Sequence, residues 1–178
     1  MWLSLIGFMG SGKSTVAALL AERVVVKAVD LDALVVERTG TSIGDIFHNR
    51  GEEAFRDAEA EVLWSLSPAE DSVVACGGGI IERQRNRMLL RERGVVIWLD
   101  LPWAAQRTRL ESMDVTGRPL LSGRSWHDIE QLYRRRRSLY ARTAHFRLRS
   151  DLASPDVLAH QALVRRLAWT QRRKDADA

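Results

Sequence analysis

Five short apolar runs recur along the chain, at Trp2 to Ile6, Val24 to Val29, Val73 to Cys76, Val95 to Leu99 and Phe146 to Leu148, and stretches of helical period separate them. Alternation of this kind predicts an α/β fold, a parallel sheet built by right-handed crossovers. The first helix is expected over Thr15 to Arg23. Later helix starts are marked by Ser42 with Asp45 three residues on, by Ser125 with Asp128 at the same spacing, and by Ser154 followed by Pro155 in the first turn. Leu110 to Arg124 keeps no period and contains Gly117, Pro119 and Gly123, which fits a mobile flap better than a packed element. The residues after Leu167 read as a frayed polar tail.

At 178 residues with 46% hydrophobic content, the chain amounts to one domain with a core that needs neither metal nor disulfide. Cys76 is the single cysteine and has no partner for an intramolecular disulfide, and with the first residues running straight into a glycine-rich loop no cleaved signal peptide is expected. A reducing cytoplasm is therefore the expected compartment. No apolar stretch approaches the roughly 20 residues that span a bilayer. The formal charge of +4 and the run Arg134 to Arg137 invite a nucleic-acid reading. However, Ile129, Leu132, Tyr133, Leu139 and Tyr140 form an apolar helical stripe through that run, so its arginines fan around a helix and make no single basic face. A basic total also suits an enzyme with anionic ligands.

The chemistry is most legible between the first strand and the first helix. Gly7-Phe8-Met9-Gly10-Ser11-Gly12-Lys13-Ser14 is a P-loop, followed by Thr15. Its glycines let consecutive N–H groups face an anion, and the helix N-terminus adds partial positive charge. Lys13 is expected on the β- and γ-phosphates of a nucleotide, and the Ser14 hydroxyl on Mg²⁺. No Asn-Lys-x-Asp guanine-reading motif accompanies it.

Four further signals follow in order. Asp30 and Asp32 end the second run two residues apart, so in extended chain both carboxylates leave the same side; one can hold Mg²⁺ through water and the other can accept a hydroxyl proton. A plain helix N-cap is the alternative for Asp32. Asp100 ends another apolar run and competes with Asp30 for the metal role. Gly51-Glu52-Glu53-Ala54-Phe55-Arg56 opens a helix, with Glu59 three residues beyond Arg56 on the same face, placed to hold the guanidinium. Gly77, Gly78 and Gly79 remove side chains where backbone approaches a ligand or takes positive φ. Arg118 lies in the flap within Gly117-Arg118-Pro119-Leu120-Leu121.

Together and in this order, these motifs resemble shikimate kinase, from the P-loop to about Pro155. The resemblance implies a P-loop kinase fold: a five-stranded parallel sheet flanked by helices, with a helical substrate-binding subdomain at about 31–62 and a mobile lid at about 110–124. Residues 1–168 would form a single kinase domain, with 169–178 as the tail. It implies ATP and Mg²⁺ as cofactors, the metal on Ser14 and Asp30, and Asp32 as the base at the 3-hydroxyl of shikimate. Arg56 and Arg136 would fork onto the substrate carboxylate, a contact that lysine does not reproduce. Arg136 is singled out by standing four residues before Tyr140. Gly78 and Gly79 would line the shikimate pocket, and Arg118 would swing over the phosphates.

Arg109 and the loop ending at Pro155 would contact adenine. The stretch from Arg109 to Arg118 is about two residues longer than the family spacing, so Arg107 competes for that place. Val24-Val25 stands where the family tends to have a helix-ending glycine. A monomer acting on a small molecule, with neither nucleic acid nor membrane as partner, is expected. The rival readings are a related kinase for another hydroxy acid such as gluconate, and a regulatory nucleotide-binding module without turnover.

Overall fold

The computed structural model describes residues 1–113, 120–121 and 123–176. Strands β1 (Trp2–Ile6), β2 (Lys27–Asp30), β3 (Ser72–Ala75), β4 (Gly94–Asp100) and β5 (Phe146–Arg149) form one sheet in the order β2-β3-β1-β4-β5. Every pairing is parallel. Parallel neighbours need crossovers, and α1 (Lys13–Val24), α2 (Leu31–Thr39), α3 (Ile43–Ser65), α4 (Gln84–Arg93), α5 (Trp103–Glu111) and α6 (Trp126–Thr143) lie along them, with α7 (Pro155–Ala176) closing the chain.

Strand alternation sends Trp2, Ile6, Val96 and Trp98 into one core cluster with residues of α3, α4 and α6. Leu3, Leu5, Val95 and Ile97 face the other way, against Val16 and Leu20 of α1 and Leu158 and Ala162 of α7. Because both faces are covered, β1, β3 and β4 are buried along their whole lengths. The helix starts fall where the sequence marks them. The Ser42 hydroxyl accepts from the Asp45 N–H at 3.1 Å, and that of Ser125 from the Asp128 N–H at 3.2 Å. Gly51, with φ 82 and ψ 171, kinks α3, so Glu52 to Arg56 open its second half.

Two expectations change. The valine run from Val24 is not yet strand: Val24 ends α1, Val25 caps it, and β2 begins at Lys27. The Val25 and Val26 N–H groups both donate to the Ala21 carbonyl, so the buried face of α1 carries its last turn past the strand-like residues. This leaves Val25 left-handed, at φ 53, where an L residue costs roughly 1–2 kcal/mol and a β-branched one is a true outlier. Its side chain is 91% exposed, so no packing offsets that cost. Val25→Gly is expected to stabilise the protein by about 1 kcal/mol and raise the melting temperature by about 2–4 °C in thermal denaturation; an unchanged or lower midpoint contradicts it.

The polar tail is the second difference, since α7 remains helical through Ala176. Trp169 packs against the second core cluster, its ring 5.4 Å from that of His145, with the Arg173 guanidinium 4.9 Å over it. Those contacts hold a polar sequence in helix beyond Leu167. No described helix is long and apolar enough to cross a membrane.

Candidate active site

The loops that follow β1, β2 and β3 line a cleft of about 690 Å³, at the strand ends where open α/β sheets bind ligands. In the loop after β1, Gly10 and Gly12 have φ 75 and 92, left-handed values that form a concave row of N–H groups. Gly12 is the N-cap of α1 and offers no side-chain cap, which leaves the first helical N–H groups for an anion. The Lys13 ammonium donates to the Phe8 carbonyl at 2.9 Å, folded back along its own loop. Gly10, Gly12, Lys13, Ser14 and Thr15 line the cleft. Ser11 does not; its side chain is turned into the interior.

At the end of β2, the Ser14 hydroxyl donates to Asp30 Oδ2 at 2.6 Å. Asp30 Oδ1 accepts from the N–H groups of Asp32 and Ala33, at 3.0 and 3.4 Å. The N-cap of α2 is thus Asp30, and the capping alternative for Asp32 falls away. Extended geometry also stops at Asp30, so Asp32 reaches the cleft from the first turn of α2 and not by strand alternation. Both carboxylates nevertheless line the cleft. The touching oxygens of Ser14 and Asp30 are hard ligands of the kind Mg²⁺ takes together with water and phosphate. Asp100 is engaged elsewhere: it is buried, and its Oδ2 accepts from Arg147 Nε at 2.7 Å and Arg137 Nη2 at 3.2 Å.

The opposite end of the cleft holds two guanidiniums, each paired with carboxylates. Arg56 is buried, with Nη1 donating to Glu59 Oε2 at 2.8 Å and Nη2 to Glu52 Oε1 at 3.0 Å. Burial pushes the Glu59 carboxyl up to about 7, against the pull of Arg56, and the nearby negative charge of Asp32 adds to the rise. Arg136 is 1% exposed and donates from Nε to Glu82 Oε1 at 2.8 Å. Its Nη1 and Nη2 are buried without a hydrogen-bond partner among the described residues. Burial opposes ionisation of Glu82, yet Arg136, helped by Arg56 and Arg135, holds its carboxyl below the ordinary range. Of the other arginines of the run, Arg134 turns to Glu130 at 2.7 Å and Arg137 to Asp100, while Arg135 reaches the outer side of Glu82 at 3.6 Å from an exposed position, so of the four Arg136 alone lines the cleft.

The glycine triplet answers to space. A Cβ on Gly77 would lie 2.0 Å from Glu59 Oε1, and one on Gly79 2.3 Å from Arg56 Cζ, while Gly79 has an ordinary φ of −98. Gly78 and Gly79 line the cleft. So do Arg109, whose Nη1 donates to the Gly10 carbonyl at 3.0 Å, and Pro155. Arg107 instead pairs with Glu111 at 2.8 Å and covers the Trp126 ring, away from the cleft lining. Arg118 lies outside the described residues.

Two residues of this constellation escape a reading of the sequence. Glu82 closes a 3₁₀ turn, Ile80–Glu82, and meets Arg136 across 54 positions, a separation with no local signature. Glu52 stands four before Arg56, an i,i+4 spacing that signals the pair but not its burial.

A family model described as shikimate kinase matches residues 9–167. A shikimate kinase of Symbiobacterium thermophilum is 42% identical over 161 residues, covering 89% of this chain and 92% of that protein. One of Gloeobacter violaceus is 45% identical over 162 residues, covering 90% and 89%. The solved structure of shikimate kinase from Acinetobacter baumannii in complex with shikimate superposes with a TM-score of 0.87 at 33% identity, over 94% of this chain and 93% of that one. Deoxyadenosine kinase from M. mycoides with bound dATP, at a TM-score of 0.56 and 14% identity over 92% and 99% of the two chains, shares the fold alone.

Proposed function

The chain belongs to the shikimate kinase family, and from that premise we propose that it transfers the γ-phosphoryl group of ATP to the 3-hydroxyl of shikimate, giving shikimate 3-phosphate and ADP. The observation that carries this is one cleft with a P-loop at one end and two buried guanidiniums at the other, Arg136 having two donors without a hydrogen-bond partner among the described residues. A planar carboxylate on a small ring is the ligand that such a fork accepts in bidentate fashion. A neutral hydroxylated acceptor would leave those donors unpaired, at a cost of about 1–3 kcal/mol each.

Gly10, Gly12, Lys13 and Thr15 hold the phosphates, with Arg109 and Pro155 at the base. Ser14 and Asp30 would hold Mg²⁺, which when bound neutralises phosphate charge. Arg56 and Arg136 fix the carboxylate, Glu59 and Glu82 fix the arginines, and Gly78 and Gly79 keep the pocket wall thin. Asp32 orients the 3-hydroxyl and takes its proton as the phosphoryl group arrives. We assign the lid to 110–124, since Met113 and Leu120 line the cleft, and the neutralising cation on the moving phosphoryl group to Arg118. The helical substrate-binding subdomain corresponds to α2 and most of α3. In this reading the enzyme is a cytoplasmic monomer, with shikimate and not nucleic acid as its partner, and it serves aromatic amino-acid synthesis.

A coupled ADP-release assay tests the reaction. Release that depends on shikimate and saturates with it is expected; ATP turnover indifferent to shikimate, or equal with gluconate, overturns the reading. Within the same assay, Gly79→Ala is expected to raise the shikimate KM by about tenfold or more, because its methyl group must displace a guanidinium clamped between Glu52 and Glu59. The KM for ATP should stay unchanged.

A further inference from the structure

Tyr140 has no place in the chemistry described so far, yet it is buried to 1% exposure and its hydroxyl donates to the Gly78 carbonyl at 2.5 Å. It lies one helical turn beyond Arg136, so one face of α6 delivers both the guanidinium of the acceptor pocket and this hydroxyl. The Tyr140 ring stacks on Trp98 with centroids 5.9 Å apart, and Trp98 in turn packs against the guanidiniums of Arg147 and Arg137, both tied to Asp100. The hydroxyl is therefore held by a rigid stack rooted in β4. Burial raises its pKa well above the ordinary phenol value and keeps it a donor.

The Gly78 carbonyl belongs to the peptide whose other end is the Gly79 N–H. This peptide bond is trans, so the two groups point in opposite directions. The neighbouring carbonyls of Gly77 and Gly79 accept from Ile80 and Glu82 within the 3₁₀ turn. Among the described residues, the Gly79 N–H has no such partner. Gly78 and Gly79 have no side chains to lock this peptide, and the flanking turn leaves its plane to be set from outside.

We propose that Tyr140 is a positioning residue for the acceptor: by holding the Gly78 carbonyl, it aims the Gly79 N–H into the pocket beside Arg136 as a main-chain donor to the bound substrate. This rests on the shikimate reading and deepens it. Tyr140→Phe keeps the ring, the stack and the volume, and removes only the hydroxyl. It is expected to raise the shikimate KM by about tenfold while the KM for ATP stays within about twofold and kcat falls less than the KM rises.

A shikimate KM equal to that of the wild type overturns the proposal, even if the variant melts earlier. So does an equal rise in both KM values, which would mean general loosening. If the variant does not fold, the wild-type amide spectrum decides. Shikimate should then shift the Gly79 amide resonance and slow its hydrogen exchange, and an unaffected Gly79 amide overturns the assignment. Wild-type enzyme run alongside separates the two levels: no shikimate-dependent ADP release there sinks the shikimate reading itself, whereas normal release with an unaltered Tyr140→Phe KM removes only the tyrosine's role.

Discussion

Replacing Arg136 by alanine is expected to raise the KM for shikimate by about a hundred- to a thousandfold, with the KM for ATP within about twofold of wild type. The magnitude follows from burial. Arg136 is almost wholly enclosed, and the two donors it would give a carboxylate have no hydrogen-bond partner among the described residues, Glu52 standing 4.0 Å from Nη2. Charge-assisted hydrogen bonds in such a setting contribute roughly 1.5–3 kcal/mol each. The fold should survive, because Glu82 keeps Arg135 at 3.6 Å and Arg56 at 3.9 Å when Arg136 is removed. Arg136→Lys should recover little, since a single ammonium cannot engage both carboxylate oxygens in the same plane. Steady-state kinetics with each substrate varied in turn, alongside a thermal melt, measure this. Equal damage to both KM values would show that the arginine is structural.

Asp32→Asn should act on the other kinetic constant. The carboxamide keeps the shape and the place of Asp32 in the first turn of α2, and its main-chain N–H still reaches Asp30. It cannot accept a proton, and it carries no charge beside the reacting hydroxyl. A fall in kcat of about a hundred- to ten thousandfold is expected, the range of a lost general base, with a shikimate KM changed by only a few-fold. Rapid-quench measurement of the first turnover separates loss of the chemical step from slow product release. A kcat within a few-fold of wild type would mean that the hydroxyl needs positioning alone and that Asp32 supplies none of the proton transfer.

These two substitutions divide the cleft into a binding end and a reacting end. Arg56 and Glu59 connect them. Glu59 holds the Arg56 guanidinium on one side, and its carboxyl feels the charge of Asp32 on the other. The glycine wall is narrow for the same reason: atoms of Arg56, Glu59 and Asp32 occupy the space that side chains at Gly77 and Gly79 would need. A pocket built this way tolerates little change in size, which is the origin of the effect expected for Gly79→Ala.

Local chemistry was legible in the amino-acid sequence because it acts over a few residues. The spacing of Gly10, Gly12, Lys13 and Ser14 determines a phosphate cradle wherever a strand precedes it and a helix follows. Ser42 and Ser125 cap helices through N–H groups three positions on, and Arg56 meets Glu59 within one turn. Tertiary structure decided everything that depends on which distant surfaces close over a side chain. Four consecutive arginines are equivalent by composition, and only the packing of α6 against β4 and the 3₁₀ turn buries Arg136 and gives it Glu82. Asp30 became the cap of α2 because β2 ends there, which no spacing announces. The valines after α1 were kept out of the strand by a helix whose buried face outlasts its propensity. Backbone hydrogen bonds and short spacings are written along the chain, whereas desolvation is a property of the assembled fold, and it is desolvation that turns an ordinary arginine into a carboxylate clamp.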